Sequence, residues 1–443
     1  MTHKSNLFIW LLLGGLVFRL ILAFNAYNPI VFDAKGYSDF AMQFLRGQWP
    51  IDCCAKNMGY SAFLAGIYQL FGVENLTAVR LVHIAIDLAS ALLLYQTAKK
   101  LFSQKAALFS FIIYVFNPFT AAFTGLVLAE TVSIFLVILL LFILSRSGFR
   151  THAALWFAFG VTAGLLLFTR HSFYYFLFVF FGILGIRVIW EIGVVRGGKL
   201  VALLLAGFLF ASSYSLIVNY KTFGKVSLVP LYNLKYEIIY LNFFRWKYPE
   251  VEFKGEIPEY GQVVQSYWNT PVEGKAAHSE KYKRMLLTRL PGEWRTFLSN
   301  LAMNVVWLWD KDHLYTYVDR WYPWDQWPMR ILNIGLIGLW AIGIIREIGE
   351  KRKKVLGEPV FLFSVLLFFY ITILFPLLSN ESRHTLVYYP ILSLWAGSGV
   401  EFLISLLSSS GQDRGSRLQY SGSPPASTPL RREASQRGER TRG

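Results

Sequence analysis

Ten apolar segments constrain what this 443-residue chain can fold into more than any other feature of its sequence. A helix needs about 20 apolar residues to cross the hydrocarbon core of a bilayer. Hydrophobic residues make up 55% of the chain and charged residues only 16%, which excludes a water-soluble globular domain and a disordered chain. The sequence therefore predicts a polytopic α-helical membrane protein with about ten transmembrane helices, at roughly residues 6–25, 77–97, 104–123, 128–145, 153–169, 172–190, 200–219, 329–348, 359–378 and 386–405.

The basic residues are concentrated in every second loop between the apolar segments. The formal net charge is +16, and most of this excess falls on every second connecting segment and on the C-terminal tail. Because Lys and Arg concentrate on the cytoplasmic side of membrane proteins, the pattern predicts that both termini are cytoplasmic. The charge thus reflects membrane topology and does not indicate a nucleic-acid partner.

Between the apolar segments, composition divides the chain further. Val226–Tyr240 shows a β-rich alternation and Lys281–Val306 an amphipathic helical pattern, so we expect a mixed α/β outer segment. The apolar stripe in Tyr37–Arg46 predicts a helix lying in the membrane interface. The expected organisation is a transmembrane module at 1–219 with an outer loop at 26–76, an outer segment at 220–328, C-terminal transmembrane helices at 329–405 and a disordered basic cytoplasmic tail at 406–443.

Two acidic residues are candidates for catalysis. Asp33 lies between the first apolar segment and the predicted interfacial helix, and Glu130 lies in a short turn among mostly apolar residues. A carboxylate fixed at the membrane surface can act as the general base that activates an acceptor hydroxyl. Capping of the helix that follows is the alternative role for each of them.

Several basic residues are candidates for binding an anion. Arg170-His171 and Arg383-His384 both fall on the outward ends of predicted helices, the side that disfavours positive charge. A guanidinium binds phosphate oxygens in a bidentate manner, so these pairs predict a phosphate site, with Lys56 as a weaker third member. Snorkelling of either arginine to the interface is the alternative.

Other polar residues are expected to be structural. His83 and Asp87 lie one helical turn apart and are predicted to pair within their helix. The adjacent Cys53 and Cys54 can form neither a disulfide framework nor a zinc ribbon. The residues leave metal use open.

The order of these parts resembles the GT-C superfamily of polytopic glycosyltransferases, in particular the branch of protein O-mannosyltransferases and lipid A aminoarabinose transferases. FDAKGYSDFAMQFLRGQWP is similar to the first outer loop of that family, and FNPFTAAFTGLVLAET to its second acidic turn. RHTLVYYPILSLWAG resembles its last helix. The resemblance implies that Asp33 is the catalytic base and Glu130 a second acid of the site. It also implies that Lys56, Arg170 and Arg383 hold the donor phosphate.

The expected activity is transfer of a hexosyl or pentosyl group from a polyprenyl-phosphate donor. The resemblance implies that the transfer inverts the configuration at the anomeric carbon. The acceptor is a hydroxyl of a lipid, glycan or protein on the outer face of the membrane, and a divalent metal is an optional cofactor. A lipid or polysaccharide transporter without transferase chemistry is the alternative, for which polar residues near the bilayer midplane are typical. A scaffold or receptor with an outer binding domain is the third interpretation, and it gives Asp33 no role.

Overall fold

The computed structural model describes residues 2–27, 30–247, 258–316, 320–378 and 381–420. Residues 1–401 form one compact unit. The helices that build the molecule are α1 (Thr2–Asn25), α2 (Phe32–Leu45), α3 (Gly59–Phe71), α4 (Leu76–Leu101), α5 (Gln104–Val115), α6 (Pro118–Phe123), α7 (Glu130–Leu144), α8 (Ala153–Thr169), α9 (Tyr174–Ile192), α10 (Val194–Phe223), α11 (Lys235–Leu241), α12 (Val272–Trp309), α13 (Gln326–Leu356), α14 (Pro359–Leu378) and α15 (Tyr389–Tyr420).

Helix length separates the apolar segments into two groups. Seven helices in the described part of the chain are long and apolar enough to cross a membrane, so the chain is an integral multi-pass membrane protein. The expected number of about ten is too high by this measure, because α5, α7 and α8 are shorter apolar helices. The 12 residues of α5 extend only about 18 Å. This helix ends early because Asn117 caps α6 and Pro118 begins it.

The expected mixed α/β outer segment is wrong for the residues that the structure describes between 220 and 328, which contain helices and no strand. Part of the alternating pattern belongs to α11, where Tyr236, Ile239 and Tyr240 follow helical spacing. These side chains pack against Leu286 and Phe297 of α12. Burial of this stripe against a helix outweighs the β propensity of its residues. The helix expected at Lys281–Val306 lies within α12.

Close helix packing in the bundle depends on small residues. A Cβ atom placed on Gly160 of α8 would lie 2.0 Å from the carbonyl oxygen of Leu204 in α10. A Cβ atom on Gly207 of α10 would lie 2.5 Å from the carbonyl oxygen of Phe157. Lipid provides no hydrophobic driving force between helices, so such close backbone approach supplies the packing contacts that hold α8 against α10.

A buried ion pair joins α1 to α4. Arg19 Nε lies 2.6 Å from Asp87 Oδ2, and both side chains are almost completely buried. Asp87 also accepts a hydrogen bond from the Tyr114 hydroxyl, while His83 lies next to the Tyr60 hydroxyl at 3.3 Å. The predicted pairing of His83 with Asp87 is therefore wrong, because a guanidinium from another helix satisfies the carboxylate better than a neutral imidazole does.

The C-terminal part of the chain is predicted to be a disordered tail. A second compact unit comprises residues 402–443, and its described part is the last portion of α15. Residues 421–443 lie outside the described residues. The disordered tail expected at 406–443 therefore stays a prediction for that part of the chain.

Candidate active site

Asp33 is the second residue of α2 and follows a strained position in the backbone. Phe32 has a φ of 49°, in the left-handed region that a bulky side chain rarely adopts. The residue that caps α2 is Val31, and no side chain makes a capping hydrogen bond there. The Asp33 carboxylate instead makes two ion pairs, to Lys56 Nζ at 2.9 Å and to Arg383 Nη2 at 2.8 Å. The capping role considered for Asp33 is therefore wrong.

Lys56 reaches Asp33 from the loop that follows α2. The Asp52 carboxylate accepts hydrogen bonds from the backbone N–H groups of Cys54 and Lys56, at 2.8 and 2.9 Å, which fixes this turn. Cys53 and Cys54 are joined in a disulfide within it. The Lys56 side chain passes over Gly36 of α2, where a Cβ atom would lie 3.2 Å from Lys56 Cε. Glycine at this position leaves room for the lysine to reach the carboxylate.

Glu130 and Arg170 form a second, more deeply buried pair. Arg170 Nη1 lies 3.4 Å from Glu130 Oε1, and the side chains are 9% and 5% exposed. Glu130 is the first residue of α7 and makes no capping hydrogen bond, so the capping role considered for it is also wrong. Arg170 Nη2 donates to His384 Nδ1 at 2.5 Å. Because a guanidinium only donates, Nδ1 is the acceptor and the neutral imidazole carries its hydrogen on Nε2.

Glu381 connects the two pairs, and sequence reasoning missed it. Its carboxylate accepts from Arg383 Nε and lies 3.8 Å from His384 Nε2. Burial raises the pKa of Glu381, the Arg383 charge opposes this rise, and the Asp33 charge adds to it. An acidic residue two positions before a candidate phosphate-binding arginine was the signal in the sequence. The resulting network runs from Lys56 through Asp33, Arg383, Glu381, His384 and Arg170 to Glu130.

Tyr37 is a second residue of the site that sequence reasoning did not assign to it. Burial raises the pKa of its hydroxyl, and the charges of Asp33 and Glu130 raise it further against the opposing charges of Arg170 and Arg383. The Tyr37 ring lies 5.7 Å from Lys56 Nζ. The hydroxyl therefore stays protonated and available as a hydrogen-bond donor among the ion pairs.

Of the seven residues predicted for the site, six take part in this network. His171 lies beside it in the turn His171–Phe173, and its side chain makes no hydrogen bond or ion pair among the described residues. Both oxygens of Asp33 face Lys56 and Arg383, and Glu130 faces Arg170. A divalent metal would have to displace one of these ion pairs, so the arrangement does not fit a metal site as it stands.

The chemistry available at the site follows from its charges. Three cations, Lys56, Arg170 and Arg383, are held within one network with three carboxylates. Such cations can bind the phosphate of a leaving group, and charge-assisted bonds of this kind are about twice as strong as neutral ones. A carboxylate among them can accept a proton from a hydroxyl. Together the groups suit displacement of a phosphate by an alcohol.

Comparison with known protein families gives a match over part of the chain. Residues 56–218 match the family model described as dolichyl-phosphate-mannose-protein mannosyltransferase. The resemblance to GT-C glycosyltransferases is confirmed. The matched residues include Lys56, Glu130 and Arg170, whereas Asp33 and Arg383 lie on either side of them.

Comparison with curated protein sequences gives no match. Among solved structures, the oligosaccharyltransferase of Archaeoglobus fulgidus tethered with an acceptor peptide containing the NVT sequon is 9% identical, with a TM-score of 0.47, and the match covers 90% of this chain and 50% of that one. AglB from the same archaeon, in complex with an inhibitory peptide and a dolichol-phosphate, is 9% identical with a TM-score of 0.49, over 94% of this chain and 52% of that one. This chain thus spans about half the length of these proteins.

Proposed function

We propose that this protein is a membrane glycosyltransferase that moves a sugar from a polyprenyl-phosphate donor to an acceptor hydroxyl on the outer face of the membrane. The observation that carries the proposal is the Asp33 carboxylate held between Lys56 and Arg383. The family match over residues 56–218 supports a lipid-phosphate donor. The acceptor is a lipid, glycan or protein hydroxyl.

Asp33 is the carboxylate best placed to act as the base. Its side chain is 32% exposed, against 17% for Glu381 and 5% for Glu130. An acceptor arriving from water can reach Asp33 more easily than the other two. In the proposed reaction the acceptor oxygen attacks C1 of the sugar, its proton passes to Asp33, and the bond from C1 to the phosphate oxygen breaks.

The cations serve the leaving group. Negative charge develops on the bridging phosphate oxygen as the bond to C1 breaks, and fixed positive charge stabilises it most where water is excluded. Arg383 and Lys56 both pair with Asp33. A donor phosphate that takes over these cations leaves the Asp33 carboxylate more able to accept a proton. Donor binding and activation of the base are coupled in this way.

The position of the charged groups favours transfer over transport. Asp33 lies at the start of α2, Glu130 at the start of α7 and Arg170 just after α8. A transporter is expected to bind its substrate near the bilayer midplane. Arg19 and Asp87 form a charged pair inside two candidate spans. This pair is almost completely buried and satisfied by protein groups, which suits a structural role.

A reconstituted assay tests the proposal. Purified protein in liposomes is given a polyprenyl-phosphate sugar labelled in the sugar, and the release of polyprenyl phosphate is followed together with labelled product. Release that depends on an added acceptor extract supports a transferase. Movement of intact donor between leaflets without release of polyprenyl phosphate supports the transporter instead.

A further inference from the structure

A second group of polar side chains lies in the outer segment, apart from the residues proposed for sugar transfer. His278 of α12 contacts two other residues through its two ring nitrogens. Its Nε2 lies 2.9 Å from Ser266 Oγ and its Nδ1 lies 3.0 Å from Glu237 Oε1. Glu237 is fully buried in α11, and Ser279 Oγ donates to the same oxygen at 2.8 Å. Three elements that are separate in sequence thus place a serine, a histidine and a glutamate in series.

Hydrogen-bond chemistry is compatible with one direction for this series. An ionised carboxylate only accepts, so the contact with Glu237 requires the hydrogen on His278 Nδ1. A neutral imidazole in that tautomer presents an unprotonated Nε2 to Ser266. The serine hydroxyl can then donate to Nε2, and its other acceptor is the carbonyl oxygen of Val263 at 3.0 Å. This is the arrangement in which a histidine removes a proton from a serine that attacks a carbonyl group.

Two buried polar atoms beside the series lack hydrogen-bond partners among the described residues. They are the second carboxylate oxygen of Glu237 and the hydroxyl of Tyr267. The Tyr267 ring packs edge-on against His278, with centroids 5.5 Å apart. Buried polar groups in native proteins are nearly always satisfied by protein, water or ligand. The two groups therefore indicate that a polar molecule completes this region.

Local backbone structure also marks the serine. Ser266 follows directly on a π-helical turn at Gly261–Gln265 and begins a short helix. Single π-helical turns are rare and occur frequently at functional sites. Ser266 and His278 are both partly exposed, so a small substrate can approach the hydroxyl.

We propose that Ser266, His278 and Glu237 form a second catalytic centre that hydrolyses carboxylic esters. Ser266 Oγ attacks the ester carbonyl carbon while its proton passes to His278 Nε2, and Glu237 orients the imidazole. The bond to the alcohol breaks, and the alcohol leaves with the proton from His278. Water then loses a proton to His278 and attacks the acyl-serine. The bond from the carbonyl carbon to Ser266 Oγ breaks, His278 returns its proton to Ser266 Oγ, and the carboxylic acid is released. No oxidant, reductant or metal takes part.

Covalent labelling of the full-length protein in detergent tests the proposal. A biotinylated fluorophosphonate should form an adduct that mass spectrometry places on Ser266, and the same protein should hydrolyse p-nitrophenyl acetate. Ser266→Ala should abolish the adduct and lower hydrolysis by at least about 100-fold. Ser279→Ala, which also removes a hydrogen bond to Glu237, is the matched control and should keep the adduct. Ser266→Ala should leave sugar transfer unchanged, because the glycosyl site does not use this residue.

Glu237 is a positioning residue and needs a separate measurement. Glu237→Gln can place an amide N–H opposite Nδ1, which favours the tautomer with the hydrogen on Nε2. Adduct formation should then fall steeply while the melting temperature stays near that of the Ser279→Ala control. The pH profile of the labelling rate should differ between the wild type and Glu237→Gln, because the tautomer of His278 differs between them. A folded protein that forms no adduct, or an adduct that persists in Ser266→Ala, overturns the proposal and leaves this group as a structural hydrogen-bond network.

Discussion

Arg383 Nη2 lies 2.8 Å from Asp33 Oδ2, although 350 residues separate the two in sequence. The contact brings the segment before the last helix against the first turn of α2. It therefore joins the two ends of the compact unit at one ion pair. Because Lys56 contacts the other oxygen of the same carboxylate, Asp33 is shared between two cations that can also bind phosphate.

Replacement of Asp33 by Asn should abolish the proposed base while keeping the size of the side chain. Asp33→Asn should still bind the donor, yet lose at least the factor of about 100 that a positioned base contributes. The measurement is the rate of acceptor-dependent polyprenyl phosphate release. Asp39→Asn, an exposed position on the same helix, is the control and should retain wild-type activity. Transfer by Asp33→Asn within a few-fold of wild type would remove this residue from the mechanism.

Replacement of Arg383 by Ala should weaken donor binding. A lost charge-assisted contact costs about 1.5–3 kcal/mol, which corresponds to roughly ten- to a hundredfold in the dissociation constant of the donor. Titration of the reconstituted protein with a fluorescent polyprenyl-phosphate sugar measures this change. Arg295→Ala, at an exposed site on α12, should bind like the wild type. Unchanged donor affinity in a folded Arg383→Ala protein contradicts a role in phosphate binding.

Glu381 should compete with the donor phosphate for Arg383. Glu381→Gln removes this competitor, so the affinity for the donor should rise by a few-fold. In the wild type, burial raises the pKa of Glu381 above the usual value of about 4.3, and the carboxyl group becomes neutral as the pH falls through that raised pKa. Donor affinity should therefore increase toward acidic pH more steeply in the wild type than in Glu381→Gln. Equal pH dependence in the two proteins argues against this competition.

Much of the helical framework could be predicted from the sequence, because apolar length is a local feature. The seven candidate site residues follow from charges near helix ends, and six of them lie together in one network, while their roles stay predictions. Pairings between distant segments could not. Asp87 lies one helical turn from His83 in α4, yet its carboxylate pairs with Arg19 of α1. Glu381 gave only a weak signal because a lone acid near an arginine is common at helix ends. The prediction of β structure near Tyr236 was wrong because burial of this segment against α12 favours a helix there.

The buried carboxylate of Asp312 should make stability depend on acid pH. Burial alone would raise its pKa, but hydrogen bonds with His313 and then Lys247 hold the pKa of Asp312 well below its usual range. A carboxyl group whose pKa is lower in the folded than in the unfolded chain stabilises the fold at pH values above its unfolded pKa of about 3.9. This stabilisation is lost as the pH falls below that value toward the folded pKa. Asp312→Asn should have a lower melting temperature at neutral pH and a shallower decline below about pH 4. An identical decline in both proteins would show that Asp312 does not contribute.

The pair of Arg19 and Asp87 should matter for folding and not for chemistry. Asp87→Leu leaves a guanidinium buried without its carboxylate, which costs about 3–5 kcal/mol in comparable sites. The thermal unfolding of the detergent-solubilised protein should therefore shift strongly to lower temperature. The double variant Arg19→Leu, Asp87→Leu removes both charges and should recover much of the loss, since apolar replacement of a whole buried pair is often neutral. The melting temperature of Asp87→Asn should lie between those of Asp87→Leu and the double variant, because an amide can still contact Tyr114. A double variant that is less stable than Asp87→Leu would show that the unpaired Arg19 does not cause the instability of the single variant. The cause would then be the packing of α1 against α4.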